Sequence, residues 1–332
     1  MAAQKGKRVA LVGATGVVGT TIGRVLAERR FPIAELVPIA TTGSGGRQIE
    51  LIDRRWQVQT AADADFDTID LCFFTAGAAV SRDLIPTALD AGCRVVDNTT
   101  AFRMDADVPL VVPEINGDEV TARTQLVACP NCTTINLVMS LAPILRSVPI
   151  ERVVVTSMQS VSGAGKEAVA ELDSQSIADL DGSPLRPIVF PRPIAFNCVP
   201  QVGDITPNGN TVEEEKIIEE SRKILSIPDL SVSATAVRVP VRVGHSLSVN
   251  VELAGDLSPD DARSLWREAP GVDYDDGLPT PRETADQDTI IIGRVRRDET
   301  RRFALNYWVV GDNLRKGAAT NSVQIAELWN GR

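Results

Sequence analysis

Residues 8–19 read Arg-Val-Ala-Leu-Val-Gly-Ala-Thr-Gly-Val-Val-Gly, "RVALVGATGVVG". Five residues of buried-strand character run into Gly13, Gly16 and Gly19, and a helical pattern follows through Glu28. A strand, a glycine turn and a helix in that order form the setting of a dinucleotide fingerprint. Small residues let backbone approach a pyrophosphate, and a helix N-terminus offers N–H groups and positive potential. Gly13, Thr15, Gly16, Val17 and Val18 are therefore the candidate cofactor contacts of this loop.

Outward from this start the alternation continues. Strand-like runs at Leu36–Ala40, Ile69–Phe74, Arg94–Asn98 and Gln125–Ala128 are separated by a helical stretch near Asp83–Ala91. That alternation predicts a Rossmann-type parallel sheet with helices on both faces. An NAD site usually ends the second strand in Asp or Glu to hold the ribose hydroxyls. Here the strand runs into Ala40, Thr41, Thr42, Gly43, Ser44, Gly45, Gly46 and Arg47, without a carboxylate. Hydroxyls, glycine N–H groups and one Arg suit a 2′-phosphate, so NADP is expected, with Thr41, Thr42 and Ser44 as contacts.

A second region follows. Helices are expected at Ile135–Leu145, Val212–Leu225 and Pro259–Glu268, the last capped by Ser258 with acidic residues in its first turn. Strands are expected at Arg152–Gln159, Thr235–Val243, Ser246–Leu253, Ile290–Arg294 and Phe303–Val310, and a closing helix at Leu314–Trp329. Residues 273–288 are the most loop-like stretch.

Composition narrows the function. The 332 residues suffice for two domains, and 34 basic against 44 acidic residues give a net charge of −10. Nucleic acid needs clustered positive charge and is an unexpected partner. No apolar run approaches the ~20 residues of a membrane span, and the basic-then-apolar start reads as a first strand rather than a signal peptide. Five scattered cysteines, 72, 93, 129, 132 and 198, are no disulfide framework and suit a reduced, cytoplasmic compartment.

Three motifs fail. "SGAGK" at 162–166 has Ser160 where a P-loop needs its first glycine and Glu167 where it needs Ser or Thr. Asp63, Asp65 and Asp67 resemble a calcium loop, but Thr68 and Phe74 stand where Gly and Glu belong. Cys129 and Cys132 lack the second ligand pair a zinc site requires, so no metal is expected.

Cys132, in "ACPNCTT" (128–134), lies between a short strand and a helix, where a helix N-terminus favours the thiolate; the alternative is a buried structural cysteine. His245, in "RVPVRVGHS", is the only histidine and hence the only imidazole available near neutral pH. Arg238 lies seven residues earlier, an odd separation that an unbroken strand would point to the opposite face, unless Pro240 and Gly244 break the alternation. Glu213 and Lys216 share a helix face, as an ordinary surface ion pair also would. Arg103 follows a strand end, where a parallel sheet opens its ligand crevice.

Together "GATGVVG", "DNTTAFR", "PNCTT", "QSVSGAGKEA", "AFNCVPQ", "EEEK", "RVPVRVGHS" and "DNLRKGAATNSVQIAEL", in this order from residue 8 onward, resemble the aspartate-β-semialdehyde dehydrogenase family. The resemblance implies NADPH-dependent, reversible reduction of L-aspartyl 4-phosphate to L-aspartate 4-semialdehyde and phosphate, towards lysine, threonine and methionine. It implies Cys132 as the acyl-carrying thiol, His245 as its acid–base partner and Gln159 as the residue orienting the thioester carbonyl. It further implies Arg238 on the substrate carboxylate, Glu213 on its ammonium, and Arg103, Asn131 and Lys216 on phosphate. Ser162, Gly163 and Asn313 would be further NADP contacts. The family layout implies an NADP-binding domain of residues 1–128 plus 313–332 and an α+β catalytic and dimerisation domain of residues 129–312. The closing helix would return to the first domain, and the assembly would be a homodimer or tetramer. The sequence departs from the family at Gly43, where bacterial relatives often carry Arg, with Arg47 as the candidate replacement, and at Cys129 and Thr133. Cys129 is either a packing residue or a redox partner of Cys132. Sister reductases acting on N-acetyl-γ-glutamyl phosphate or acyl-CoA, and a non-enzymatic NADP-binding redox sensor, are the alternatives.

Overall fold

The computed structural model describes residues 6–40, 45–52 and 54–329. They form two compact units, one comprising residues up to Asn131 together with those from Ala318, the other Cys132–Gly317. Both borders fall a few residues beyond 128 and 312. Asn313 belongs with the second unit because its amide is bonded to Ser160, Ser162 and Gly244 there.

In the first unit, β1 (Lys7–Val12) leads through the glycine loop into α1 (Val17–Glu28) and β2 (Ile33–Ala40). A small antiparallel pair, β3 (Gln48–Leu51) and β4 (Arg54–Gln57), follows, then β5 (Gln59–Thr60), β6 (Leu71–Phe74), α2 (Ala78–Asp90), β7 (Arg94–Asp97), α3 (Pro113–Asn116) and β8 (Leu126–Ala128). The main sheet is parallel in the order β5-β2-β1-β6-β7-β8. The chain leaves β1 to one side for β2 and later to the other for β6, so the order reverses at β1. Ligands of open α/β sheets bind at such a switch point, beyond the strands' carboxyl ends, and the glycine loop stands there. Val9, Ala10, Leu11, Phe73 and Phe74 are wholly buried, as strands covered on both faces require.

The closing helix, Thr320–Leu328, packs in this unit. Arg29 grips Glu327 through two bonds of 2.9 and 2.6 Å, and Asn321 Nδ2 donates to the Val111 carbonyl at 2.9 Å. The expected continuous helix from Leu314 instead begins as a π-helical turn, Arg315–Ala319.

The second unit carries α4 (Cys132–Leu145), β9 (Ile150–Gln159), α5 (Lys166–Leu180), α6 (Val212–Leu225), β10 (Ser231–Arg238), β11 (His245–Leu253), α7 (Pro259–Glu268), β12 (Val272–Asp275), α8 (Pro281–Thr284), β13 (Ile290–Arg297) and β14 (Ala304–Gly311). Its sheet is mixed, in the order β10-β9-β11-β14-β13-β12. One core knot ties α7, α4 and β14 together. Trp266 Nε1 donates to the Ser140 carbonyl at 2.9 Å, its ring lies 4.9 Å from that of Tyr307, and the Tyr307 hydroxyl meets Ser140 Oγ at 3.1 Å.

Two helices match their expected limits because their caps are written in the sequence. Thr211 and Glu214 form a reciprocal capping box on α6, and Ser258 accepts from the Asp261 N–H on α7. The strand expected at Thr235–Val243 ends at Arg238. Pro240, which has no N–H to give a ladder, and Gly244, at φ +92°, follow that end. Arg238 and His245 thus belong to separate strands, β10 and β11. The loop-like stretch 273–288 contains the end of β12 and all of α8.

Candidate active site

The glycine loop is built to bring backbone close. Gly13 adopts φ +93°, and a Cβ there would meet Thr75 Oγ1 at 2.4 Å. A Cβ on Gly19 would lie 2.3 Å from the Gly13 carbonyl oxygen, so only glycine lets α1 seat on the loop. The first turn of α1 has no side-chain cap and no acidic residue. Thr15, Gly16, Val17 and Val18 are all at least partly accessible around it. Backbone cradle, switch point and uncapped helix start fit a dinucleotide pyrophosphate. Thr41, Thr42 and Ser44, with Gly43, lie outside the described residues.

Arg103 and Asn131 also belong to the first unit. Asp97, at the end of β7, is buried and organises the loop ahead of Arg103. It accepts from Ser81 Oγ at 2.9 Å, from the Thr99 N–H at 3.0 Å and from Thr99 Oγ1 at 3.0 Å. Burial raises its pKa, while these bonds and Arg103 pull it back down. Arg103 Nη2 donates to the Asn98 carbonyl at 2.9 Å. Cys129 is buried; its sulfur accepts from Asn321 Nδ2 at 3.4 Å.

The densest constellation lies inside the second unit. Arg238 pairs with Gln159 across β10 and β9, and Gly311 pairs with His245 across β14 and β11. Continuing the β9–β11 register past Met158 and Ser246 puts Gln159 opposite His245. Arg238, Gln159, His245 and Gly311 therefore form one row across four strands. Opposed residues share a sheet face, so the convergence that the seven-residue spacing left open comes from strand pairing.

Each side chain in the row is held. Gln159 Nε2 donates to Thr133 Oγ1 at 2.8 Å and to Glu213 Oε1 and Ser157 Oγ at 3.2 Å. Arg238 Nη1 donates to the Ser160 carbonyl at 2.7 Å, and its guanidinium lies 5.8 Å from the centre of the Phe190 ring. Burial lowers the Arg238 pKa, while Glu213 and Cys132 push it back up. Lys216 Nζ reaches Glu213 Oε2 at 3.3 Å. Cys132 is half-buried at the first residue of α4, and a Cβ on Gly317 would come within 2.9 Å of its own Cβ.

His245 is wholly buried. Burial above all, and then Arg238, pull its pKa down to about 3, against opposing pulls from Glu213 and the Gly244 backbone. The ring is therefore neutral at pH 7. Its Nδ1 receives the Ser160 N–H at 3.1 Å, while Nε2 meets no protein partner. A Cβ on Gly163 would stand 3.1 Å from Arg238 Nη1 and 3.4 Å from His245 Nε2, so a side chain at 163 would crowd the Arg238 guanidinium. Asn313 Oδ1 accepts from Ser160 Oγ, Ser162 Oγ and the Gly244 N–H at 3.1, 3.2 and 2.9 Å.

Sequence reasoning missed Ser160, Thr133 and Asp97 as partners of functional side chains. For Ser160 and Thr133 the signal was adjacency, since each sits next to a named residue. For Asp97 it was a carboxylate at a strand end. Among the described residues no group of three or more His, Cys, Asp and Glu side chains could hold a metal. No helix among them is long and apolar enough to cross a membrane.

A switch-point glycine loop in one unit, with a half-buried thiol and a buried, neutral histidine in the other, defines a dinucleotide-dependent oxidoreductase of the semialdehyde dehydrogenase class. Residues 8–123 match "Semialdehyde dehydrogenase, NAD binding domain" and residues 141–316 match "Semialdehyde dehydrogenase, dimerisation domain". The aspartate-semialdehyde dehydrogenase of Legionella pneumophila is 46% identical over 328 residues, covering 96% of this chain and 94% of that protein. That of Bacillus subtilis is 41% identical over 336 residues, covering 97% of each. The solved aspartate semialdehyde dehydrogenase II of Vibrio cholerae, complexed with ASA, superposes with a TM-score of 0.96 at 40% identity, over 99% of both chains. The chain belongs to the aspartate-semialdehyde dehydrogenase family.

Proposed function

We propose that this protein is an aspartate-semialdehyde dehydrogenase that reversibly reduces L-aspartyl 4-phosphate to L-aspartate 4-semialdehyde and phosphate, through a thioester on Cys132. The reading places it in the cytoplasm, in lysine, threonine and methionine biosynthesis. The observation that carries it is the row Arg238–Gln159–His245, with Glu213 bonded to Gln159 and Cys132 near enough to Arg238 to act on its charge.

Each group has a task. The α4 N-terminus favours the Cys132 thiolate, which attacks the acyl phosphate and expels phosphate. Gln159, oriented by Thr133, Ser157 and Glu213, presents its amide to the thioester carbonyl. Arg238, braced by the Ser160 carbonyl and Phe190, offers its guanidinium to the substrate carboxylate. Glu213 faces the substrate ammonium. Lys216, Arg103 and Asn131 are the phosphate contacts that the family resemblance implies. Local cations of this kind admit anionic substrates to a protein of charge −10. His245 moves a proton to and from sulfur at Nε2.

NADP supplies the hydride chemistry when bound. Gly13, Thr15, Gly16, Val17 and Val18 would hold its pyrophosphate, Ser162, Gly163 and Asn313 its nicotinamide end, and Thr41, Thr42 and Ser44 its 2′-phosphate. NADP is favoured over NAD because β2 ends without a carboxylate. The dimerisation-domain match supports a homodimer or tetramer.

Steady-state rates with aspartate semialdehyde, phosphate and either NADP or NAD test this reading. N-acetylglutamate semialdehyde serves as the rival substrate. Phosphate-dependent turnover of aspartate semialdehyde with NADP is expected, and preference for the rival would overturn it.

A further inference from the structure

Two atoms of one residue converge on a single ring nitrogen. The Ser160 N–H and Ser160 Oγ each lie 3.1 Å from His245 Nδ1. The hydroxyl also lies 3.1 Å from Asn313 Oδ1, and that oxygen's identity is fixed by the Gly244 N–H, which donates to it at 2.9 Å. Ser160 and His245 are fully buried and Asn313 nearly so. Charged groups acting on the ring are Arg238 from β10 and Glu213 from α6, the latter tied to Lys216.

A backbone N–H can only donate, so it suits a bare Nδ1. A hydroxyl that gives its proton to Asn313 has its oxygen left to accept, so it suits a protonated Nδ1. Nδ1 thus has a partner in either state, and when it is protonated the Ser160 N–H loses its acceptor and must turn away from the ring. We propose that Ser160, backed by Asn313, is a positioning residue that holds His245 in either of two tautomers, and that its hydroxyl sustains the one able to act as a base. The inference rests on the reading of His245 as the proton carrier of the Cys132 reaction.

In the working tautomer Nδ1–H donates to Ser160 Oγ, Ser160 O–H donates to Asn313 Oδ1, and Nε2 carries a lone pair. The Cys132 S–H bond breaks, an Nε2–H bond forms, and thiolate and imidazolium result. When the thiolate departs from the tetrahedral adduct it takes that proton back, and Nδ1–H keeps its acceptor throughout. In the resting tautomer the proton sits on Nε2, and bare Nδ1 accepts from the Ser160 N–H. Exchange between the two neutral forms takes one proton from water at one nitrogen and releases one to water from the other.

Because His245 is the only histidine, ¹⁵N-histidine labelling gives a single pair of ring signals that report the tautomers at pH 7.5. Wild type is expected to show shifts averaged between the two forms. In Ser160→Ala both signals should move to the limits of the Nε2–H form. Losing the acceptor of a charged group should lower kcat at least about tenfold while KM stays within about twofold. Ser160→Thr should restore both readouts. Unchanged signals in Ser160→Ala, with kcat within about twofold, would overturn the proposal. Should that variant not fold, Asn313→Asp decides: its stronger acceptor should raise the Nδ1–H population, and an unaltered population refutes the idea. Full turnover by His245→Asn would instead refute the acid–base reading beneath it.

Discussion

At the scale of single residues, the chemistry depends on side chains whose burial only the fold reveals. His245 was singled out for being alone, which says nothing of its charge. Complete burial beside Arg238 makes it neutral, with a pKa of about 3. Its folded pKa lies below the ordinary 6.5, so between those values the unfolded chain binds a proton that the native one does not. This contribution is complete above pH 6.5 and is lost as pH falls towards 3, at about 1.4 kcal/mol per pH unit. Urea unfolding of His245→Gln at pH 6.5 and 4.5 should therefore show a smaller loss than wild type. Arg238 carries a sharper expectation. Arg238→Lys keeps the charge but loses the planar fork, and should raise KM for aspartate semialdehyde roughly tenfold or more. A KM within twofold of wild type would remove Arg238 from substrate binding.

At the scale of elements, what was legible tracks how local the signal is. Capping residues and a 3.6-residue period set the limits of α6 and α7, and both were readable. Thr211→Ala should cost about 1 kcal/mol by denaturant unfolding, since it dissolves the capping box. The glycine loop was readable as well. Gly19→Ala drives a methyl group into the Gly13 carbonyl, so NADPH affinity by fluorescence titration should fall at least about tenfold. Other elements were not legible. The β3–β4 pair lacks a two-residue Asn-Gly or Asp-Gly signal. Helix α5 has weak amphipathy, and Ile177 and Leu180 on it are exposed. The end of β10 was misplaced because Arg238–Val243 continues in β-branched residues. Strand pairing, a long-range property, is what aligns Arg238, Gln159 and His245, and no spacing in the sequence carries it.

At the scale of the whole molecule, the alternation of strands and helices foretold the parallel sheet, and the late blocks foretold the closing helix. Ile177, Leu180, Ile188 and Phe196 are large apolar side chains exposed on the unit matched as a dimerisation domain. Exposed apolar groups of this kind mark association surfaces. Ile177→Glu combined with Leu180→Glu should shift sedimentation towards the monomer; an unchanged profile would place the interface elsewhere. The central claim concerns one thiol at the start of α4. Its most direct test is phosphate-dependent NADPH formation from aspartate semialdehyde by wild type and by Cys132→Ala. The account predicts turnover by the wild type and none measurable in the variant, with NADPH binding retained. Turnover by Cys132→Ala would contradict it.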